Sequence, residues 1–145
     1  MLEYFSKNAV IQLGAIGVES TIPFTNQHLL KGCGCVMSGN TVQINKCGVY
    51  DVSCDLCVSA NNISNLEIKL YVDGVSQPQA DMTTSISVAD NYSTVHIETY
   101  ITKQNDNCKC NPCTSPTTVY LTISSSVADT VATLQTADIQ VYKVV

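Results

Sequence analysis

The sequence predicts an all-β fold, an antiparallel two-sheet sandwich of about eight to ten strands, on three grounds. Val, Ile and Thr are abundant and Trp is absent, a composition that suits pleated, half-buried surfaces. Apolar and polar residues alternate with period two in one segment after another, and Asn, Ser, Asp and Gly gather between those segments as turn residues. Helix has almost no support. The nearest candidate, residues 127–134, spaces its apolar residues by three and four but is threonine-rich and follows Ser124-Ser125-Ser126, so it reads as loop or strand.

In chain order, residues 9–16 and 19–24 supply two short strands, the second interrupted by Pro23 and therefore suited to an edge. His28 follows in a polar Asn26-Gln27-His28 turn. Residues 33–46 read as a hairpin with Ser38-Gly39-Asn40 at its tip and Val42 and Ile44 on the second arm. Residues 48–59 put Tyr50, Val52, Cys54, Leu56 and Val58 on one face, against Asp51, Ser53, Asp55 and Ser59 with Val49 and Cys57 on the other. In residues 66–72, Leu66, Ile68, Leu70 and Val72 oppose Glu67, Lys69 and Tyr71, and Asp73-Gly74 ends the strand in a turn. A weaker strand lies near residues 85–88. Residues 94–103 set Val95, Ile97 and Ile101 against His96, Glu98, Tyr100 and Thr102, and residues 118–124 set Val119, Leu121 and Ile123 against Tyr120 and Thr122. The last strand, residues 137–145, places Ala137, Ile139 and Val141 opposite Asp138, Gln140 and Tyr142.

The 145 residues suit one domain spanning the chain, 1–145, with no repeat or linker to divide it. Residues 1–17 are expected to form its first strand or an arm that touches a capsid or a neighbouring subunit. Only 13 % of the residues are charged, and the net charge of −5 includes no Lys or Arg run to track a phosphate backbone. No nucleic-acid partner is expected. No apolar stretch approaches the about 18 residues of a membrane span, and Met1-Leu2-Glu3-Tyr4 lacks the basic-then-apolar layout of a signal peptide. The expectation is a protein without a membrane partner that stays in the cell that makes it.

No catalytic chemistry is expected either. A thiol nucleophile needs a histidine in reach, and the sequence has only His28 and His96, the latter on the outer face of its strand, away from inward Cys54. Nucleophile-elbow, phosphate-loop and HExxH patterns are all missing from the sequence. Asp51 and Asp55 share a strand face but stand about 13 Å apart along it, too far for a carboxylate dyad, and read as solvated acids.

From Thr41 onward the order of elements resembles the C1q/TNF-like jelly roll. Gly48-Val49-Tyr50 is similar to that family's glycine-x-tyrosine lead-in to its central strand. The run Leu66-Glu67-Ile68-Lys69-Leu70-Tyr71-Val72-Asp73-Gly74 resembles its strand ending in an Asn/Asp-Gly turn, and residues 137–145 its sheet-closing last strand. The opening Tyr4-Phe5-Ser6-Lys7-Asn8-Ala9-Val10 and the closing residues 137–145 also resemble small phage-encoded proteins of clostridial-group bacteria, head decorations or fibres. A collagen-like stalk and a signal peptide, both part of the secreted C1q pattern, are not seen here. A particle protein made in the host cytoplasm and released by lysis needs neither.

The resemblance implies a homotrimer. Tyr71, Tyr100, Tyr120 and Tyr142 fall opposite the expected core, and Tyr100 and Tyr142 are taken as subunit-interface residues. Eight cysteines in so short a chain are its most unusual feature. In a jelly roll the strand from Gly48 and the one ending near Lys103 run antiparallel in one sheet, so Cys33, Cys35, Cys47, Cys108, Cys110 and Cys113 converge at one end, while Cys54 points inward and Cys57 does not. A structural zinc, a set of disulfides formed after release and free thiols are all open readings of that cluster. No other cofactor is expected.

These expectations combine into a structural virion protein, a trimeric capsid decoration or head-fibre module that acts by binding. Its partners would be itself, the major capsid protein or another virion component, and a host-surface ligand. The alternative is a receptor- or carbohydrate-binding module at a fibre or tail tip, against which the absence of Trp counts.

Overall fold

The computed structural model describes residues 1–32, 34–104 and 116–145. Its strands are β1 (Leu2–Gln12), β2 (Ser20–Thr21), β3 (Asn26–Leu30), β4 (Cys35–Ser38), β5 (Thr41–Ile44), β6 (Gly48–Ala60), β7 (Ser64–Val72), β8 (Val75–Ser76), β9 (Met82–Ile86), β10 (Ser93–Lys103), β11 (Thr117–Ser125) and β12 (Val131–Lys143), with one 3-10 turn at Pro78–Ala80. They form two antiparallel sheets. One has five strands in the order β10-β6-β12-β1-β3; the other has seven, β4-β5-β11-β7-β8, with β2 pairing β11 beyond the end of β5 and β9 pairing β7 beyond β8.

The alternation read from the sequence is what closes the sandwich. Tyr50, Val52, Cys54, Leu56 and Val58 of β6 are buried, as are Leu66, Ile68 and Leu70 of β7, Val119, Leu121 and Ile123 of β11, and Ala137, Ile139 and Val141 of β12. These inward faces form one continuous core between the sheets. The polar end of the largest core side chain is satisfied locally, since the Tyr50 hydroxyl donates to the Lys46 carbonyl at 2.8 Å. Both short turns also follow their sequence. Asp73 and Gly74 take φ of 51° and 78° in the two-residue β7–β8 turn, and Gly39, at φ 60°, turns β4 into β5.

The N-terminal third departs from expectation. A single strand, β1, begins at Leu2 in place of a short one at residues 9–16, and it lies between β12 and β3. Its phase changes in the middle: Leu2 and Ser6 are buried and Tyr4 packs on the core, then Ala9, Ile11 and Leu13 take over the inward positions. The joint is Asn8, with φ 54°, and the register passes from Lys7↔Thr136 to Ala9↔Leu134, setting Asn8 opposite Gln135. Gln135 is the extra residue where β12 pairs β6, whose register shifts between Leu134 and Thr136. A period-two count stops at each of these two residues, which is why it began the strands at residues 9 and 137, whereas β12 starts at Val131, inside the segment that read as loop or strand.

Other differences are local. His28 sits in β3 and not in a turn, on an exposed edge strand whose polar residues gave no alternation. Of residues 19–24, only Ser20–Thr21 pair, Pro23 having no N–H to continue the ladder. The strand expected near residues 85–88 lies earlier, at Met82–Ile86.

Candidate functional site

The two sheets turn different surfaces outward. On the seven-stranded sheet, Tyr71 and Tyr120 stack with ring centroids 5.1 Å apart, and the Tyr71 hydroxyl donates to Glu19 at 2.7 and 2.8 Å. Glu19 also accepts from Thr122 at 2.7 Å. The Glu19 bond pushes the Tyr71 phenol up to about 12. Tyr71, Glu19 and Thr122 thus satisfy one another, while Asp81 Oδ1, near Lys69, Glu67 and Glu19, is buried without a hydrogen-bond partner.

The outer face of the five-stranded sheet is different. Register places Tyr142, Asp51 and Tyr100 side by side across β12, β6 and β10. Four residues along, Phe5, Asp138, Asp55 and His96 form a second row across β1, β12, β6 and β10, and midway between the two lies a row containing Glu3, Gln140, Ser53 and Glu98. Five carboxylates therefore share one sheet face.

Their environments are unequal. His96 holds Nδ1 2.7 Å from Asp55 Oδ1 and Nε2 3.5 Å from Glu98 Oε2. The Asp55 hydrogen bond raises the His96 pKa above its ordinary value, with burial acting against it and Glu98 in favour. Asp51, expected to be a solvated acid, is only 4 % exposed, because tyrosines flank it on both neighbouring strands and Tyr142 donates a hydrogen bond to it. That bond holds the Tyr142 hydroxyl above its usual range. Asp51 Oδ1 has no hydrogen-bond partner, and neither has the equally buried Asp138 Oδ1. Burial, followed by the charges of Glu3 and Asp55, raises the Asp138 pKa, and His28 opposes the rise. No sequence signal marked Asp51 and Asp138 beyond their outward phase.

Tyr100 and Tyr142 are exposed, at 64 % and 41 %. Beside His96, a shallow hollow of about 330 Å³ is lined by Asp55, Cys57, Thr94 and Thr136. The Cys57 thiol reaches Gln135 Oε1 at 3.4 Å, and His96 gives both ring nitrogens to carboxylates. No nucleophile-and-base pair is assembled there.

Of the cysteine cluster, Cys35 and Cys47 can be placed. Cys35, Ile44 and Thr117 stand in one row, and Cys47 precedes Gly48, which pairs with Lys103. Both thus lie at the end of the sandwich where the chain leaves β10 and enters β11, an end tied across the sheets by Lys103 Nζ donating to Thr117 Oγ1 at 3.2 Å. Burial raises the Cys35 pKa. Cys33, Cys108, Cys110 and Cys113 lie outside the described residues. Among the described residues no group of three or more His, Cys, Asp or Glu side chains is placed to hold a metal ion. Cys54 is fully buried in the core and Cys57 is half-buried on the outer face.

No protein-family model matches the sequence, and no curated protein matches it. Solved structures do match. PRD1 vertex protein P5 is similar over 99 % of this chain and 96 % of its own, at 14 % identity and a TM-score of 0.57. Murine APRIL at pH 8.0 is similar over 96 % of this chain and 98 % of its own, at 10 % identity and a TM-score of 0.58. A chain of the T13 IBDV viral particle is similar over 97 % of this chain but only 31 % of its own, at 11 % identity and a TM-score of 0.54. The fold is the TNF-like jelly roll.

Proposed function

We propose that this chain is a structural virion protein, a homotrimeric capsid decoration or head-fibre module of a bacteriophage that acts by binding and not by catalysis. The observation that carries the reading is the likeness to PRD1 vertex protein P5, which runs through nearly the whole length of both chains. A chain of the IBDV viral particle adds a second viral neighbour, similar over part of its length. Surface chemistry agrees: few charges, exposed Tyr100 and Tyr142 on one sheet, and a histidine whose nitrogens are both engaged by carboxylates. The partners are two further copies of the chain and the major capsid protein or another virion component; synthesis is in the host cytoplasm and the working location is the capsid surface. Cys33, Cys35, Cys47, Cys108, Cys110 and Cys113 are read as a staple at one end of each subunit, by zinc or by disulfides.

The test is quantitative mass spectrometry of purified particles from a phage that encodes this chain, after a salt wash. The expected result is a fixed copy ratio to the major capsid protein, in multiples of three. Recovery only in the soluble lysate overturns the reading.

A further inference from the structure

We propose that copies of this chain stack end to end, with the apolar, acidic loop end of one copy seated on the lysine-bearing end of the next. The contact runs along the strand axis, so it goes beyond the homotrimer reading and does not depend on it.

Four loops make up the loop end, residues 13–18, 61–63, 87–92 and 126–130, and hydrogen bonds tie them together. The Asp129 N–H donates to the Gly14 carbonyl at 3.0 Å, Asn62 Nδ2 to Thr130 Oγ1 at 3.1 Å, and the Asp90 N–H to the Ala60 carbonyl at 2.8 Å. Thr130 is wholly buried among them, and its hydroxyl donates to the Val127 carbonyl at 2.8 Å. On this braced platform Ile16, Ile63, Val88, Tyr92 and Val127 are all exposed, from 38 % to 69 %. Apolar side chains scattered singly are ordinary on a surface, but one or more on every loop of a single end make a patch. Loops already held in place lose little freedom when the patch is covered.

Charge identifies what covers it. The four loops contain no Lys, Arg or His, while Asp90 and Asp129 are exposed among the apolar residues, so phosphate-bearing surfaces find no cation there. Beside Ile16 a hollow of about 230 Å³ is lined by Asn65, Glu67, Thr83 and Ser124, each able to accept a hydrogen bond from an ammonium group. The opposite end holds the complement. Lys31 and Lys143 are exposed there, where β3 and β12 finish beside the start of β1, and neither is in an ion pair with a described residue. Leu30 and Val144, next to them in the chain, are exposed as well. Asp73, in the turn at that end, already accepts from the Thr118 N–H at 2.9 Å. One end thus offers cations and apolar area, the other carboxylates and apolar area, and the two fit each other. Because the patches differ, the contact is head to tail and repeats from copy to copy.

Complementation, read by sedimentation velocity of the full chain, tests this. Species larger than one trimer are expected to grow with concentration and to recede at high salt. Ile63→Ser with Val88→Ser alters the loop end, and Lys31→Glu with Lys143→Glu the lysine end; all four positions are exposed, and thermal melts check that both variants fold. Each variant alone is expected to stop at the trimer, the stacking constant falling by about tenfold for each aliphatic side chain lost. Mixed together, the two variants are expected to pair one to one, because the mixture keeps one intact copy of each end. A wild-type trimer that never grows overturns the inference and leaves the homotrimer reading standing, whereas monomers that stack overturn the homotrimer reading and leave the inference. Undiminished growth of either variant overturns the assignment of the ends. Variants that fail to pair when mixed, beside a wild type that grows, show like ends meeting and overturn the head-to-tail contact.

Discussion

At the residue scale, two cysteines three residues apart on β6 behave in opposite ways. Cys54 is fully buried, and burial together with Asp55 and Asp138 pushes its thiol far above the usual range, whereas Cys57 is half-buried on the outer face. Iodoacetamide at pH 8 should therefore modify Cys57 in the folded protein and leave Cys54 untouched until denaturant is added, as read by peptide mass spectrometry. His96 makes a pH-dependent contribution to stability. Its folded-state pKa is raised by Asp55, so the contribution is complete below the unfolded value of about 6.5 and is lost as pH rises through the folded value. Because the side chain is 56 % exposed, screening keeps this small. His96→Gln is expected to cost at most about 1 kcal/mol at pH 5.5 and nothing measurable at pH 9 in urea titrations. The inward phase of Cys54 and the outward phase of His96 were both legible from alternation. The burial of Asp51 was not, because it depends on cross-strand tyrosines that only the register brings alongside.

At the element scale, the turns and the long central strands are the most legible parts. Asp73-Gly74 announces its own turn, and β6, β7, β10 and β11 each begin and end within two residues of where alternation places them. Two glycines separate backbone requirements from packing. Gly74→Ala forces a Cβ onto a φ of +78° in otherwise open space and is expected to cost about 1 kcal/mol. Gly48, at φ +148°, is hemmed in by the last strand: an added Cβ would meet Lys143 Cε and, at 2.6 Å, the Val145 carbonyl. Gly48→Ala should therefore lower the melting temperature more than Gly74→Ala, by differential scanning calorimetry. This close approach gives a physical reason for a glycine two residues before the core tyrosine. Strands β1 and β3 were poorly legible for different reasons, a mid-strand change of phase in the first and an edge position without an apolar face in the second.

At the scale of the whole molecule, the two-sheet architecture follows from the number of strands that must bury one face, whereas strand order does not. Alternation says which side of a strand is inward but not which strand lies beside it. That is why the acidic face, with carboxylates drawn from β1, β6, β10 and β12, is invisible until the sheet is assembled. The cysteine end was partly legible, since the hairpin and the Gly48 lead-in bring Cys35 and Cys47 to where the sheets are tied. The Asn8 and Gln135 pair carries a further consequence, for how the length of this chain can drift. Each is one residue in excess of an unbroken alternation, and they face each other on adjacent strands. Removing Asn8 alone leaves Gln135 as a two-against-one mismatch with both β1 and β6, and removing Gln135 alone leaves Asn8 mismatched with β12, whereas removing both restores one-to-one pairing across β1, β12 and β6. The double deletion is thus expected to melt at a higher temperature than either single deletion, a non-additive pattern between positions 127 residues apart in the gene. Among descendants of this sequence, gain or loss at one of these two codons should be accompanied by the same event at the other.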